Sequence, residues 1–210
     1  MSRSHRPVSR RRRRRRRSGF LLLLAVLVGL TGLYAVMRLL PRQRVARLEQ
    51  VTVPASVEQA LLPVGYARSG RRLEDIRGIV IHYVGNPDTT AMNNRNYFAR
   101  EDTEVCSHFV VGLEGEVVQC VPLWERSAAS NQRNKDTISI EVCHPDETGK
   151  FNEDTYTSLV QLTAWLCRET HLKPDAVIRH YDVTGKACPL YYVRHPDAWN
   201  TFLSDVAAAS

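Results

Sequence analysis

Between Phe20 and Met37 the chain carries no charged residue and consists mostly of leucine and valine. Eighteen such residues, at ~1.5 Å each, form a helix about 27 Å long, enough to cross the core of a bilayer. With Gly19 and a short extension the span is read as residues 19–40. Ten arginines precede it, Arg10 to Arg17 in an unbroken block. The positive-inside rule keeps such a block in the cytoplasm and sends the rest of the chain outward. Two readings compete here, a retained single-pass anchor and a signal peptide that is cleaved. Tyr34-Ala35-Val36-Met37-Arg38 lacks the small-residue cleavage pattern, which favours the anchor.

Charge divides the 210-residue chain the same way. Of 29 Lys+Arg and 22 Asp+Glu, residues 1–50 hold 14 and one, leaving 15 and 21 in residues 51–210. The net +7 of the whole chain therefore comes from its N-terminal part. Residues 51–210 are mildly acidic and do not suit a nucleic-acid partner. Residues 1–18 read as a disordered basic tail, residues 41–53 as an Arg-rich stalk and residues 54–210 as one folded domain.

Within that domain strands and helices interleave. Arg77 to Val84 is a continuous apolar run, the signature of a buried strand. Val105 to Val111 and Glu116 to Val121 flank Gly112-Leu113-Glu114-Gly115 as a hairpin. Thr137 to Val142 is a further strand. Glu153 to Thr170 repeats apolar residues at three- and four-residue spacing, an amphipathic helix. Ala176 to His180 is a short strand and Pro196 to Ala208 a final helix. Ser56 to Leu62 reads as a short helix, and Asp88 as the N-cap of another that runs to about Arg100. A hairpin among strands linked by helices implies an α/β fold with a mixed central sheet flanked by helices.

The chemistry concentrates in Arg179-His180-Tyr181-Asp182-Val183-Thr184-Gly185-Lys186-Ala187-Cys188-Pro189. An imidazole and a thiolate lie on either side of a glycine turn, a zinc-type pair. His82, at the end of Gly78-Ile79-Val80-Ile81, supplies a third ligand and leaves a coordination position open for water. Alone, His82 reads rather as a strand-end histidine hydrogen-bonded in the core. Glu141 sits in the apolar run Ile138-Ser139-Ile140-Glu141-Val142, where a carboxylate is costly to bury. Pattern alone balances a catalytic carboxylate against a solvent-facing strand residue.

Four ordered blocks carry a resemblance: Gly78-Ile79-Val80-Ile81-His82-Tyr83-Val84-Gly85-Asn86-Pro87, Ser107-His108-Phe109-Val110-Val111, Ser139-Ile140-Glu141-Val142-Cys143-His144-Pro145, and the His180–Cys188 stretch. From about residue 50 onward the chain resembles the N-acetylmuramoyl-L-alanine amidases of the type-2 amidase and peptidoglycan-recognition superfamily. The resemblance implies Zn2+ held by His82, His180 and Cys188, with Glu141 as general base. It implies Lys186 as oxyanion stabiliser and peptidoglycan or muropeptides as substrate. His108 lies in a strand where such relatives place a histidine beside the cleft, and it reads equally as substrate contact or core packing. His144 reads as a loop histidine at the cleft rim, and Tyr83 and Trp124 as packing or sugar-stacking residues. Ser107 stands where phage relatives carry a catalytic tyrosine, so Glu141 must carry the proton transfers.

Two other functions remain open at this point. A peptidoglycan receptor on the same fold would do no chemistry, but such relatives usually lose the cysteine that is kept here as Cys188. A zinc peptidase would cut within the stem peptide. Cys106, Cys120, Cys143 and Cys167 read either as disulfide partners or as small buried hydrophobes.

Overall fold

The computed structural model describes residues 10–210. The first nine positions of the expected basic tail lie outside the described residues. The chain divides after Leu40 into two compact units. The first helix, α1, spans Arg10–Leu48, so residues 10–18 are helical where disorder is expected. Arginine is a good helix former, and extending a nucleated helix adds one hydrogen bond for each residue fixed. In the first unit the apolar side chains from Leu23 to Leu40 are exposed. The segment Leu23–Leu48 has the length and composition to cross a membrane.

The second unit begins at Pro41, so the residues expected to form a stalk include part of the domain. Val45 and Leu48 are buried in the main core. Arg44 forms a two-pronged ion pair with Asp75 through Nε at 2.9 Å and Nη2 at 2.7 Å. The arginines that suggest a solvated stalk are thus spaced around two apolar residues that face the domain.

Six strands form one sheet: β1 (Val57–Gln59), β2 (Gly78–Ile81), β3 (Phe109–Val111), β4 (Val117–Gln119), β5 (Thr137–Val142) and β6 (Val177–Arg179). Their spatial order is β1-β4-β3-β5-β2-β6. The β3–β4 hairpin is antiparallel and every other neighbouring pair is parallel, the mixed sheet that the sequence implies. Strand β1 replaces the short helix expected over Ser56–Leu62. So brief a segment gains little from helix nucleation, whereas the amides of Ala60 and Leu62 continue its pairing with the carbonyls of Gln119 and Cys120.

Period-2 alternation gives the sheet two distinct faces. Ile79, Ile81, Phe109, Val111, Ile138, Ile140 and Val142 share the main core with Leu159, Leu162 and Leu166 of α3 (Glu153–Thr170) and with Trp199, Phe202 and Val206 of α6 (Pro196–Ala209). Val110, Val118, Cys120 and Cys143 form a second cluster with Ala91 and Phe98 of α2 (Ala91–Phe98). The cap of α2 is Thr90, whose hydroxyl accepts from the Asn93 amide at 3.1 Å. Asp88, expected as the cap, has φ 56, whereas an N-cap needs extended backbone. All five cysteines are free and buried. The amide of Cys120 bonds to His108, so Cys106 lies two residues from opposition to Cys120.

Two helical turns that the sequence pattern does not announce shape the functional end. These are α4 (His180–Thr184) and α5 (Leu190–Arg194). The first follows β6 directly, so the chain turns helical at His180 itself.

Candidate metal centre

The strand register aligns three functional groups in a row. Ile81 pairs with Ile140 on one side and Arg179 on the other. The next residue on each strand is His82, Glu141 or His180. One residue past these aligned positions on three adjacent parallel strands, the row occupies the usual ligand-binding edge of such a sheet. The amide of His82 extends the ladder by donating to Ile140 O at 2.9 Å.

Cys188 reaches this row through a tight reversal. Gly185 takes φ 78 at the C-terminal cap of α4, a left-handed backbone that suits glycine. The amide of Tyr181 then donates to Cys188 O at 2.9 Å and closes the loop. Cys188 Sγ lies 3.9 Å from His82 Nδ1. One donor atom from each of His82, His180 and Cys188 falls within 4.8 Å of the others. The two imidazole rings are tilted by 52° with centroids 4.6 Å apart.

Both imidazoles turn their other nitrogen outward. His82 Nε2 lies 3.1 Å from Ser130 Oγ, and His180 Nε2 lies 3.0 Å from Asn131 Oδ1. A ring that donates through Nε2 presents an unprotonated Nδ1, the form that binds a metal. Burial, with His180 and Lys186 nearby, holds the His82 ring well below the usual imidazole range. Burial and then Lys186 also lower His180. Neutral imidazoles, a sulfur and outward hydrogen bonds together fit zinc.

Glu141 stands beside this donor set, its side chain only 18% exposed. Oε1 is 3.9 Å from His82 Nδ1, and Oε2 is buried without a hydrogen-bond partner. Burial pushes the carboxyl up to about 8, with the Lys186 ammonium pulling the other way. Burial and then Glu141 push the Cys188 thiol up to about 12, again opposed by Lys186. Lys186 is itself exposed. Its charge acts on both histidines, the glutamate and the cysteine, so it borders the whole cluster.

Two other histidines, His108 and His144, pack within the domain. His108 is fully buried. Its Nδ1 accepts from the Ser139 amide at 3.0 Å, and its Nε2 donates to Glu125 O at 2.9 Å. His144 is also buried, with Nδ1 2.7 Å from Asp146 O and Nε2 2.9 Å from Val84 O. Backbone groups lie against both nitrogens of each ring, so packing is the role visible for these two side chains. Tyr83 is half-buried, its ring 5.1 Å from that of His144. Trp124 is half-buried against the main core. Packing is therefore the role visible for both.

Ser130 and Asn131 do not stand out in the sequence, because their polar loop carries no ligand-type residue. The same holds for the buried Ser127–Ser139 hydroxyl pair, 2.7 Å apart, which supports His108.

A family model described as N-acetylmuramoyl-L-alanine amidase (Amidase_2) matches residues 72–190. That span is more than half of the chain and includes His82, Glu141, His180, Lys186 and Cys188. The N-acetylmuramoyl-L-alanine amidase BlyA of Bacillus subtilis is 30% identical over 169 residues, covering 70% of this chain and 46% of its own length. The N-acetylmuramoyl-L-alanine amidase CwlL of Bacillus licheniformis is 29% identical over 158 residues, covering 67% and 43%. The chain thus spans less than half the length of these curated relatives. The solved structure of PlyL shares the fold, with a TM-score of 0.65 at 20% identity, covering 73% of this chain and 98% of that one.

Proposed function

The chain belongs to the N-acetylmuramoyl-L-alanine amidase family, and we propose that it is a zinc-dependent hydrolase of the amide between N-acetylmuramic acid and L-alanine in peptidoglycan. One observation carries this reading: the donor atoms of His82, His180 and Cys188 converge within 4.8 Å of one another, with the unpaired Glu141 carboxyl alongside.

Zinc, when bound, supplies Lewis-acid activation of water and of the amide carbonyl. His82, His180 and Cys188 are the residues that would hold it. Glu141 takes the proton from the attacking water and later delivers it to the departing L-alanine amine. Its place beside the donor set, with Oε2 buried and unpaired, suits a group that moves a proton in both directions. Lys186 stabilises the oxyanion that develops as the carbonyl becomes tetrahedral. Each role falls to a residue in or bordering the one cluster.

The test is metal analysis of the full chain in detergent, joined to mass spectrometry of digested muropeptides. About one zinc per chain is expected by the three-ligand argument, with release of stem peptides that begin at L-alanine. Cuts between stem-peptide residues would instead identify a peptidase. Binding without cleavage would identify a receptor.

The first unit supports a membrane partner. Exposed apolar side chains from Leu23 to Leu40 follow a block of arginines, the pattern of an N-in, C-out anchor. Protease added to spheroplasts is expected to digest the domain while the N-terminal helix stays with the membrane. Release of a shortened domain into the medium would identify a cleaved signal instead.

A further inference from the structure

We infer that Ser130 and Asn131 are positioning residues that together fix the ring tautomers and orientation of both zinc histidines; this rests on the zinc reading above. Ser130 Oγ meets His82 Nε2 at 3.1 Å, and Asn131 Oδ1 meets His180 Nε2 at 3.0 Å. These two acceptors are consecutive in sequence, while the rings they meet have centroids 4.6 Å apart.

Consecutive residues of an extended chain point to opposite sides. For both to reach one pair of rings, the backbone must turn between them. It does so at Asn131, whose φ is 52. Asparagine is among the few non-glycine residues that take this left-handed conformation readily. The turn is held from one side by Asn134, whose Oδ1 accepts from the amides of Ala129 at 3.1 Å and Ser130 at 2.6 Å. From the other side, the Gln132 side chain donates to Val183 O on α4 at 3.3 Å. The loop is thus tied both to itself and to the helix that His180 opens.

The hydroxyl and the amide oxygen accept the Nε2 protons. That leaves the two Nδ1 lone pairs directed to the face shared with Cys188. Without these acceptors each neutral ring would divide between two tautomers, and one of those cannot ligate through Nδ1. Such outward partners of metal-bound histidines are typically worth about 10- to 100-fold in metal affinity.

The test uses the full chain in detergent, stripped of metal by chelation and titrated with zinc against a competing chelator. Asn131→Gly keeps a residue suited to the left-handed backbone and removes only the acceptor. It is expected to weaken zinc binding about 10- to 100-fold while leaving the melting temperature of the metal-free protein unchanged. Ser130→Ala is expected to weaken zinc in the same range. Asn131→Asp restores an oxygen that can only accept, so it should stay within a few-fold of the parent. Long-range 1H–15N spectra of the metal-free parent are expected to show His82 and His180 with the proton on Nε2. That readout depends on no variant. Parent-like zinc affinity in Asn131→Gly would overturn the inference, as would an Asn131→Asp variant as weak as the glycine variant or a proton found on Nδ1. A parent that bound no zinc but gave the expected spectra would sink the zinc reading and leave the orientation by Ser130 and Asn131 standing.

Discussion

Glu141 Oε1 and Cys188 Sγ each lie 3.9 Å from the same atom, His82 Nδ1. Neither separation is that of a strong hydrogen bond. The second carboxylate oxygen of Glu141 is buried without a partner. A buried polar atom left unpaired is costly to fold around, and the proton-transfer role proposed for Glu141 would account for that cost. Glu141→Gln is therefore expected to retain zinc and the melting temperature but to lose turnover by about 10²- to 10⁴-fold, the range for a general acid–base group. Muropeptide hydrolysis at the parent rate would remove Glu141 from the mechanism.

Lys186 gives a separable effect. It is exposed, so its removal leaves no buried charge unpaired. Lys186→Ala is expected to lower kcat by roughly 100-fold, the scale of one oxyanion donor, with zinc content unchanged. Equal loss of zinc and of activity would make it a metal-site residue instead.

His108 sets an acid limit on stability. Its ring is fully buried with both nitrogens bonded, and burial drives it down from the usual range to about 4. The unfolded chain takes up this proton near pH ~6.5, as an unperturbed imidazole does, whereas the folded chain resists it. The group therefore contributes stability that is full above pH ~6.5 and is lost as pH falls through about 4. The amount is on the order of 3 kcal/mol for a fully buried ring. Urea unfolding at several pH values between ~7 and ~4 checks this. His108→Gln should be less stable at neutral pH and show a flatter acid slope. An unchanged slope would show that His108 is not the group responsible.

Local periodicity makes the strong elements legible, and long-range pairing hides the rest. Strand β5 and helix α3 have the boundaries expected of them, because alternation in one and three- and four-residue spacing in the other span their whole length. Strand β1 escapes a local reading because its conformation depends on β4, some sixty residues on. The candidate metal-binding trio is legible because imidazole and thiolate are rare in such blocks, and the register then aligns His82, Glu141 and His180. Local pattern does not decide the roles of His108 and His144, for a physical reason. Their nitrogens are taken up by the carbonyls of Glu125 and Val84, 17 and 60 residues away, and no local pattern reveals that. Ser130 and Asn131 look like ordinary loop residues until the rings they face are in view.

The last expectation concerns where the domain begins. Val45 and Leu48, 2% and 1% exposed, belong to the main core. Full burial of such side chains is worth about 1.5–3 kcal/mol each. Arg44 also holds Asp75, which is itself buried, and Glu49 pairs with Arg72. A fragment that begins at residue 50 exposes the core beneath Leu48 and leaves Asp75 with Arg77 and the Ile76 amide. A fragment that begins at Pro41 keeps all of these contacts. The shorter fragment is expected to be less stable by roughly 3–6 kcal/mol, a large part of what a domain of this size possesses. Within the longer fragment, Leu48→Ala should cost about 2–5 kcal/mol, whereas Arg42→Ala, at an exposed position, should cost under ~0.5 kcal/mol. Equilibrium denaturation of the four proteins decides the matter. Equal stability of the two fragments would return residues 41–49 to the role of a spacer. The expected difference would make the last turns of α1 a structural part of the hydrolase domain.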